Sequence, residues 1–254
     1  SHALLSLLAQ GGCHVRPYIG VQDVPEGAAL ALRQRLEALP WAEGCKPEIR
    51  FFRSTPELPD LRSVMLNEML RAAGPAYVAF LDYDDLMFPH AYGTLLQRLQ
   101  LTGKNATFGR VFMTTVDSSR GLRVQREVAY GGRTYSDFLD TNHAPIHSFM
   151  LDMRKVDIGK VEYFQDMKFM EDYYLTLQIF SREDTDWESL AEEAYVGDYI
   201  HIEGSDANTL AVRDVEKRRA HLMSPEYRLC EARLRDLRRR LQGGGLATNR
   251  RPAA

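Results

Sequence analysis

The chain has 254 residues, 44% of them hydrophobic and 26% charged, with a formal net charge of −3. That length buries a sizeable core, the charge argues against a general affinity for nucleic acid, and no apolar run has the length of a membrane span or opens as a signal peptide. Three cysteines, Cys13, Cys45 and Cys230, lie far apart without zinc-ligand spacing, which predicts reduced thiols in a soluble, cytoplasmic protein.

Residues 2 to 9 have helical composition, and His14 to Gln22 reads as a strand ending in Asp23. Asp23 is either a turn residue before Val24-Pro25-Glu26-Gly27 or a strand-end ligand. Apolar residues at mainly helical spacing predict a helix over Ala28 to Leu39. A strand over Glu48 to Phe52 and a helix over Leu61 to Ala73 follow. Gly74-Pro75 then turns the chain into six apolar or aromatic residues, Ala76 to Leu81, the pattern of an interior strand covered on both faces. Alternating strands and helices of this kind predict a mainly parallel α/β sheet.

That strand runs straight into Asp82-Tyr83-Asp84-Asp85. Open α/β sheets place their ligand crevice beyond the carboxyl ends of such strands. Carboxylates so close resist joint ionisation, and a hard divalent cation held between them and substrate phosphates relieves the repulsion. The other reading is an acidic turn that begins the next helix, with Asp84 or Asp85 as its N-cap.

Beyond a helix over Ala91 to Leu99, Ala106 to Val116 and Leu122 to Tyr130 are rich in Val, Phe and Thr. They flank turn residues 117–121, which predicts a β-hairpin. A short strand at Phe149 to Leu151 and a helix over Phe169 to Phe180 complete the domain. Trp187 and Tyr195 read as core aromatics.

The tail differs. Val212 to Leu241 carries ten Lys or Arg against five Asp or Glu, and Tyr227, Cys230, Leu234, Leu237 and Leu241 follow a 3-4-3-4 spacing. With about two heptads the stripe is equally suited to packing on its own domain or against an oligomer or neighbouring domain. The basic face also suits anionic lipid, as at the inner face of a membrane, although the apolar face lacks Trp and Phe. The expected organisation is a domain over 1–211, a basic amphipathic helix over 212–242 and a disordered end over 243–254.

Several segments, in order, resemble the family 2 glycosyltransferases of the GT-A fold. Asn67-Glu68-Met69-Leu70-Arg71-Ala72-Ala73 leads through Gly74-Pro75 into Phe80-Leu81-Asp82-Tyr83-Asp84-Asp85, similar to that family's DxD region. Leu86-Met87-Phe88-Pro89-His90-Ala91 is similar to its following loop. Phe169-Met170-Glu171-Asp172-Tyr173-Tyr174-Leu175 resembles its ED motif, and Gly197-Asp198-Tyr199-Ile200-His201 with Gly204-Ser205 its closing segment. The set spans most of residues 1 to 210. In that family a strand with a P-x-Y/F-N-like turn precedes the first helix; it is missing here, and excision from a longer chain is the expectation.

The resemblance implies an α/β fold of GT-A type, a Rossmann-like mixed, mainly parallel sheet flanked by helices, with a C-terminal helical extension. It implies a sugar-nucleotide-dependent transferase that inverts by single displacement, with bacterial surface polysaccharide synthesis as a setting. Asp84 would be the main ligand of Mn²⁺ or Mg²⁺, Asp82 would touch the ribose or a metal-coordinated water, and His201 would add a metal or diphosphate contact. Asp23, Asn67, Asp82 and Asp85 fall on the nucleotide-sugar side, Asp85 alternatively capping a helix. Asp172 would be the general base, with Glu171 raising its pKa by repulsion. Asn142 and His147 would lie near the donor sugar or acceptor. The implied partners are a nucleotide-sugar donor and a glycan or lipid-linked acceptor. Two other readings stand beside this one: a nucleotide-binding or assembly module without catalysis, and a nucleotidyltransferase, against which no Gly-rich, Lys-containing phosphate loop occurs early in the chain.

Overall fold

The computed structural model describes residues 2–116, 124–128, 132–161, 163–164, 167–192, 194–202 and 215–243. The turn expected at 117–121, the Gly204-Ser205 pair and the expected tail beyond 243 lie outside the described residues.

In chain order the elements are α1 (His2–Leu8), β1 (Tyr18–Gln22), α2 (Glu26–Glu37), β2 (Glu48–Phe52), α3 (Arg62–Ala73), β3 (Tyr77–Ala79), β4 (Leu86–Met87), α4 (Ala91–Thr102), β5 (Ala106–Phe108), β6 (Arg110–Val116), β7 (Val124–Val128), α5 (Tyr135–Asp140), β8 (Phe149–Asp152), α6 (Glu171–Ile179), β9 (Thr185–Asp186), β10 (Tyr195–Ile202), α7 (Val215–Met223) and α8 (Pro225–Gln242). β1 and β2 pair in parallel from Tyr18 opposite Glu48 to Gln22 opposite Phe52. A second sheet has the order β4-β10-β6-β7 and a third β3-β8-β5-β9.

The sheets are mixed. β10–β6 and β5–β9 are parallel, while β10–β4, β3–β8, β5–β8 and β6–β7 are antiparallel. The parallel share is smaller than expected because the short β4, the hairpin strand β7 and the central β8 all run against their neighbours. The strand before the acidic run is also shorter than expected. β3 covers three half-buried residues and, among the described strands, pairs only with β8. Its start is set by α3, which ends at Gly74 with φ 65°, a left-handed cap that glycine adopts without Cβ strain.

The main core gathers Leu70, Phe80, Phe108, Phe138, Phe149, Tyr163, Tyr173 and Leu175. Aromatic pairs meet edge to face, with Phe108–Phe180 at 5.1 Å and 81° and Phe138–Tyr173 at 5.2 Å and 89°, each adding about 1 kcal/mol beyond the area it buries. Trp187 packs in this nest, and Tyr195 stacks on Phe112 at 4.1 Å. A second core, of Met87, Tyr92, Leu95, Leu99, Val111, Met150 and Val196, sits between α4 and the sheets.

α8 completes the main core. Ser224 caps its first turn through Tyr227 N–H, Pro225 follows at N1, and Cys230, Leu234 and Leu237 are buried with Leu241 packed beside them. The 3-4-3-4 stripe is therefore occupied within its own domain, the first of the two partners its spacing allows. No described helix is long and apolar enough to cross a membrane.

Candidate active site

Two backbone devices bring the carboxylates together. After β3 the chain turns through Asp82-Tyr83-Asp84-Asp85 and enters β4, which lies antiparallel to β10. That approach needs a glycine in β10: a Cβ on Gly197 would sit 2.4 Å from the Leu86 carbonyl oxygen. On the facing side Met170 takes a left-handed conformation, φ 58°, and α6 begins with Glu171 and Asp172 in its first turn. A bulky non-glycine residue held there is strained by an amount on the order of 1 kcal/mol, and such strain clusters at functional sites.

Asp82 lies at the mouth. Its residue is open to solvent on one side yet crowded on the others, and burial, then the charges of Asp85 and Asp84, push its pKa up to about 6, with Glu171 adding to the effect. Asp84 is half-buried and is raised by burial and then by Asp85. Neither carboxylate has a cationic partner at ion-pair distance among the described residues.

Asp172 is half-buried at the start of α6. Its Oδ1 accepts the Tyr173 N–H at 2.7 Å, and its Oδ2 accepts Asn142 Nδ2 at 3.3 Å. Burial raises its pKa; those two hydrogen bonds oppose the rise and the Asp82 charge adds to it. Glu171, the neighbour expected to raise Asp172, turns to Arg62, with Nη1–Oε1 at 3.3 Å, and the main charge acting on Asp172 is that of Asp82. Glu171 itself is raised by burial, with Arg62 pulling it down and Asp172 pushing it up.

Asn142, expected near the donor sugar or acceptor, hydrogen-bonds the Asp172 carboxylate. Other expected contacts are turned inward. Asn67 is buried and clamps the backbone of Tyr163, its Nδ2 donating to Tyr163 O and its Oδ1 accepting Tyr163 N–H, both at 2.8 Å. Both ends of the amide are engaged, so Asn67 acts as a clamp and not as a nucleotide contact. Asp85 is 1% exposed; its Oδ1 accepts the Ile200 N–H at 2.9 Å and its Oδ2 lies 2.9 Å from His147 Nδ1. It ties the acidic loop to β10, neither capping a helix nor facing a ligand.

His147 is fully buried, stacked parallel on Tyr199, and its nitrogens lack an aligned hydrogen-bond partner. No surface is left for a sugar. His201 lies in β10 opposite Thr115, with its side chain outside the described structure. Asp23 sits at the carboxyl end of β1 with φ 56°, its carboxylate accepting Ser54 N–H at 2.9 Å and Ser54 Oγ at 2.7 Å. Those hydrogen bonds, the Ser54 backbone one first, lower its pKa. It is exposed, and its partners belong to the β1–β2 edge.

Two participants were invisible in sequence. Arg62 meets Glu171 across 109 residues, and Tyr163 lies in a loop that no motif marks. A cation for this site has to fit the two acidic-loop carboxylates. After burial and Asp85, the Asp84 charge helps to raise Asp82, and burial and then Asp85 raise Asp84, a crowding of negative charge that a divalent cation relieves. Among the described residues no group of three His, Cys, Asp or Glu forms a ready-made cage.

No family model and no curated protein matches this sequence. Among solved structures the chain is similar to TarS 1–349 of S. aureus in complex with UDP, with a TM-score of 0.52 and 12% identity over 79% of this chain. The match covers 56% of the TarS chain, so this protein spans little more than half of that length. At that identity the likeness is one of fold, and it gives the mixed α/β architecture of GT-A type.

Proposed function

We propose that this protein is a glycosyltransferase that moves a sugar from a nucleoside-diphosphate sugar to an acceptor hydroxyl, with inversion at the anomeric carbon. The observation that carries the reading is the meeting of two carboxylate groups from separate motifs. Asp82 and Asp84 lie in the turn between β3 and β4, and Asp172 opens the facing helix close enough for the Asp82 charge to act on it. The fold adds support, and the solved TarS structure holds UDP.

In this reading Asp172 accepts the proton of the acceptor hydroxyl as that oxygen bonds to the anomeric carbon. The bond from the anomeric carbon to the donor's phosphate oxygen breaks, and the nucleoside diphosphate leaves with the electron pair. Asn142 fixes the carboxylate of Asp172, while Arg62 holds Glu171 aside. Asp84 and Asp82, with His201, would hold Mn²⁺ or Mg²⁺, which when bound supplies positive charge for the departing diphosphate. A surface polysaccharide is the proposed setting.

Calorimetric titration of UDP, GDP, dTDP and CMP with and without Mn²⁺ tests this directly. The expected result is metal-dependent binding of one nucleoside diphosphate, weakened at least about tenfold in Asp84→Ala. Equal binding of all four with no metal effect would sink the reading and favour a module without catalysis.

A further inference from the structure

Tyr163 is a large, fully buried side chain, and among the described residues its hydroxyl has no hydrogen-bond partner. A buried hydroxyl without a partner carries an uncompensated desolvation cost, so it calls for a reason. Its backbone is fixed on both sides by the Asn67 amide. Its ring stands edge-on to Phe80, two residues before Asp82, at 6.0 Å and 81°. The next side chain, Phe164, stands edge-on to Tyr174, two residues after Asp172, at 5.6 Å and 72°. The residue is thus wedged between the acidic loop and the first turn of α6. The groups that surround its hydroxyl electrostatically are, after burial, Asp172, Asp82 and Glu171 in that order, all of which keep the phenol protonated. The hydroxyl is a donor within electrostatic reach of three acceptors, and among the described residues it bonds to none of them.

The geometry points to Tyr163 as a positioning residue whose hydroxyl donates to Asp172 when substrates fill the crevice, fixing the carboxylate for the acceptor proton. This inference rests on the transferase reading. It has a distinctive signature, because the hydroxyl is a liability to the resting fold and an asset only in the working enzyme. Removing it leaves the ring, its contact with Phe80 and the backbone clamp in place.

The test is Tyr163→Phe in the full chain, with kcat, KM for donor and acceptor, and Tm measured side by side. The expected result is a kcat lower by roughly 10- to 100-fold, KM values within about threefold of the parent, and a Tm equal to or above the parent's. A kcat within about twofold of the parent overturns the inference, as does a loss of kcat that tracks a lowered Tm. Asn67→Ala supplies the second arm: loosening the clamp should lower both kcat and Tm. A kcat left unchanged there also counts against a positioning role. If the parent protein transfers no sugar from any nucleotide donor, the transferase reading itself fails and this inference falls with it.

Discussion

At one edge of the third sheet the buried carboxylate of Asp186 meets Arg98, whose guanidinium also reaches Glu192, while Thr107 Oγ1 donates to it at 2.8 Å. Burial alone would raise the Asp186 pKa, but the hydrogen bonds from Arg98 and Thr107 outweigh it and hold the group below the usual carboxylate range. In the crevice the carboxylates of Asp82, Asp84, Glu171 and Asp172 are all raised, and among the described residues Arg62 forms an ion pair with Glu171 alone of the four. The same side chain is satisfied in one place and left in tension in the other. A satisfied carboxylate holds the fold; a frustrated one is ready for a proton or a cation, which is why perturbed groups concentrate at functional sites.

The sharpest way to break this contrast is Asp172→Asn. With the base gone, kcat is expected to fall by at least about 10³-fold, some 4 kcal/mol of transition-state stabilisation, while Tm barely moves. Activity above a tenth of the parent's would remove Asp172 from the role of base. The parent's kcat should also rise with pH through a limb set above the usual Asp value, because burial and Asp82 hold the proton on Asp172. A flat profile between pH 5 and 8 in a rate limited by chemistry would contradict that.

Arg98→Ala should do the opposite, lowering stability by about 3 kcal/mol because it leaves Asp186 buried and unpaired. Donor binding by the folded fraction should be unchanged. Denaturant unfolding reads the first quantity and calorimetry the second, and an activity loss without destabilisation would erase the distinction between the regions.

Asp82→Asn is the mildest. The folded chain keeps the Asp82 proton up to about pH 6 and the unfolded chain only to about 3.8, so between them the folded state binds more protons. Stability from this group is full below the lower value, falls as pH rises through that window and stays lower above it. Solvent on its open side screens the effect to roughly 1 kcal/mol. Without metal, Asp82→Asn should therefore raise Tm by about 2–4 °C at pH 8 and leave it unchanged near pH 3.5. A lower Tm at pH 8 would move Asp82 into the company of Asp186.

What could be read from sequence follows the range of each interaction. The helix at Arg62–Ala73, the strand at Glu48–Phe52 and the hairpin of β6 and β7 are set by local periodicity and turn residues, and they stand where those patterns place them. The acidic run and the Glu171-Asp172 pair were visible as motifs, and their facing each other follows from the fold. Side-chain direction was not visible. Asn67, Asp85 and His147 have the residue types of a ligand site, yet each is turned to a partner 62 or more residues away: Tyr163, Ile200 or the acidic loop. Those pairings are decided by how sheets and loops stack, which no local pattern encodes. The destination of the α8 stripe was undecidable for the same reason, since its spacing suits any apolar surface.

One contact of α8 bears on the order in which the molecule comes into being. Arg238 donates to the Tyr173 hydroxyl, with Nη2 at 3.0 Å, and that hydroxyl in turn donates to the Phe138 carbonyl oxygen. Tyr173 is the residue next to Asp172, so α8 braces the turn that carries Asp172. A ribosome emits every described strand and both acidic motifs before it emits Arg238. A nascent chain therefore holds all the parts of its crevice while the wall behind them is still unbuilt, and that wall closes only as synthesis nears Gln242.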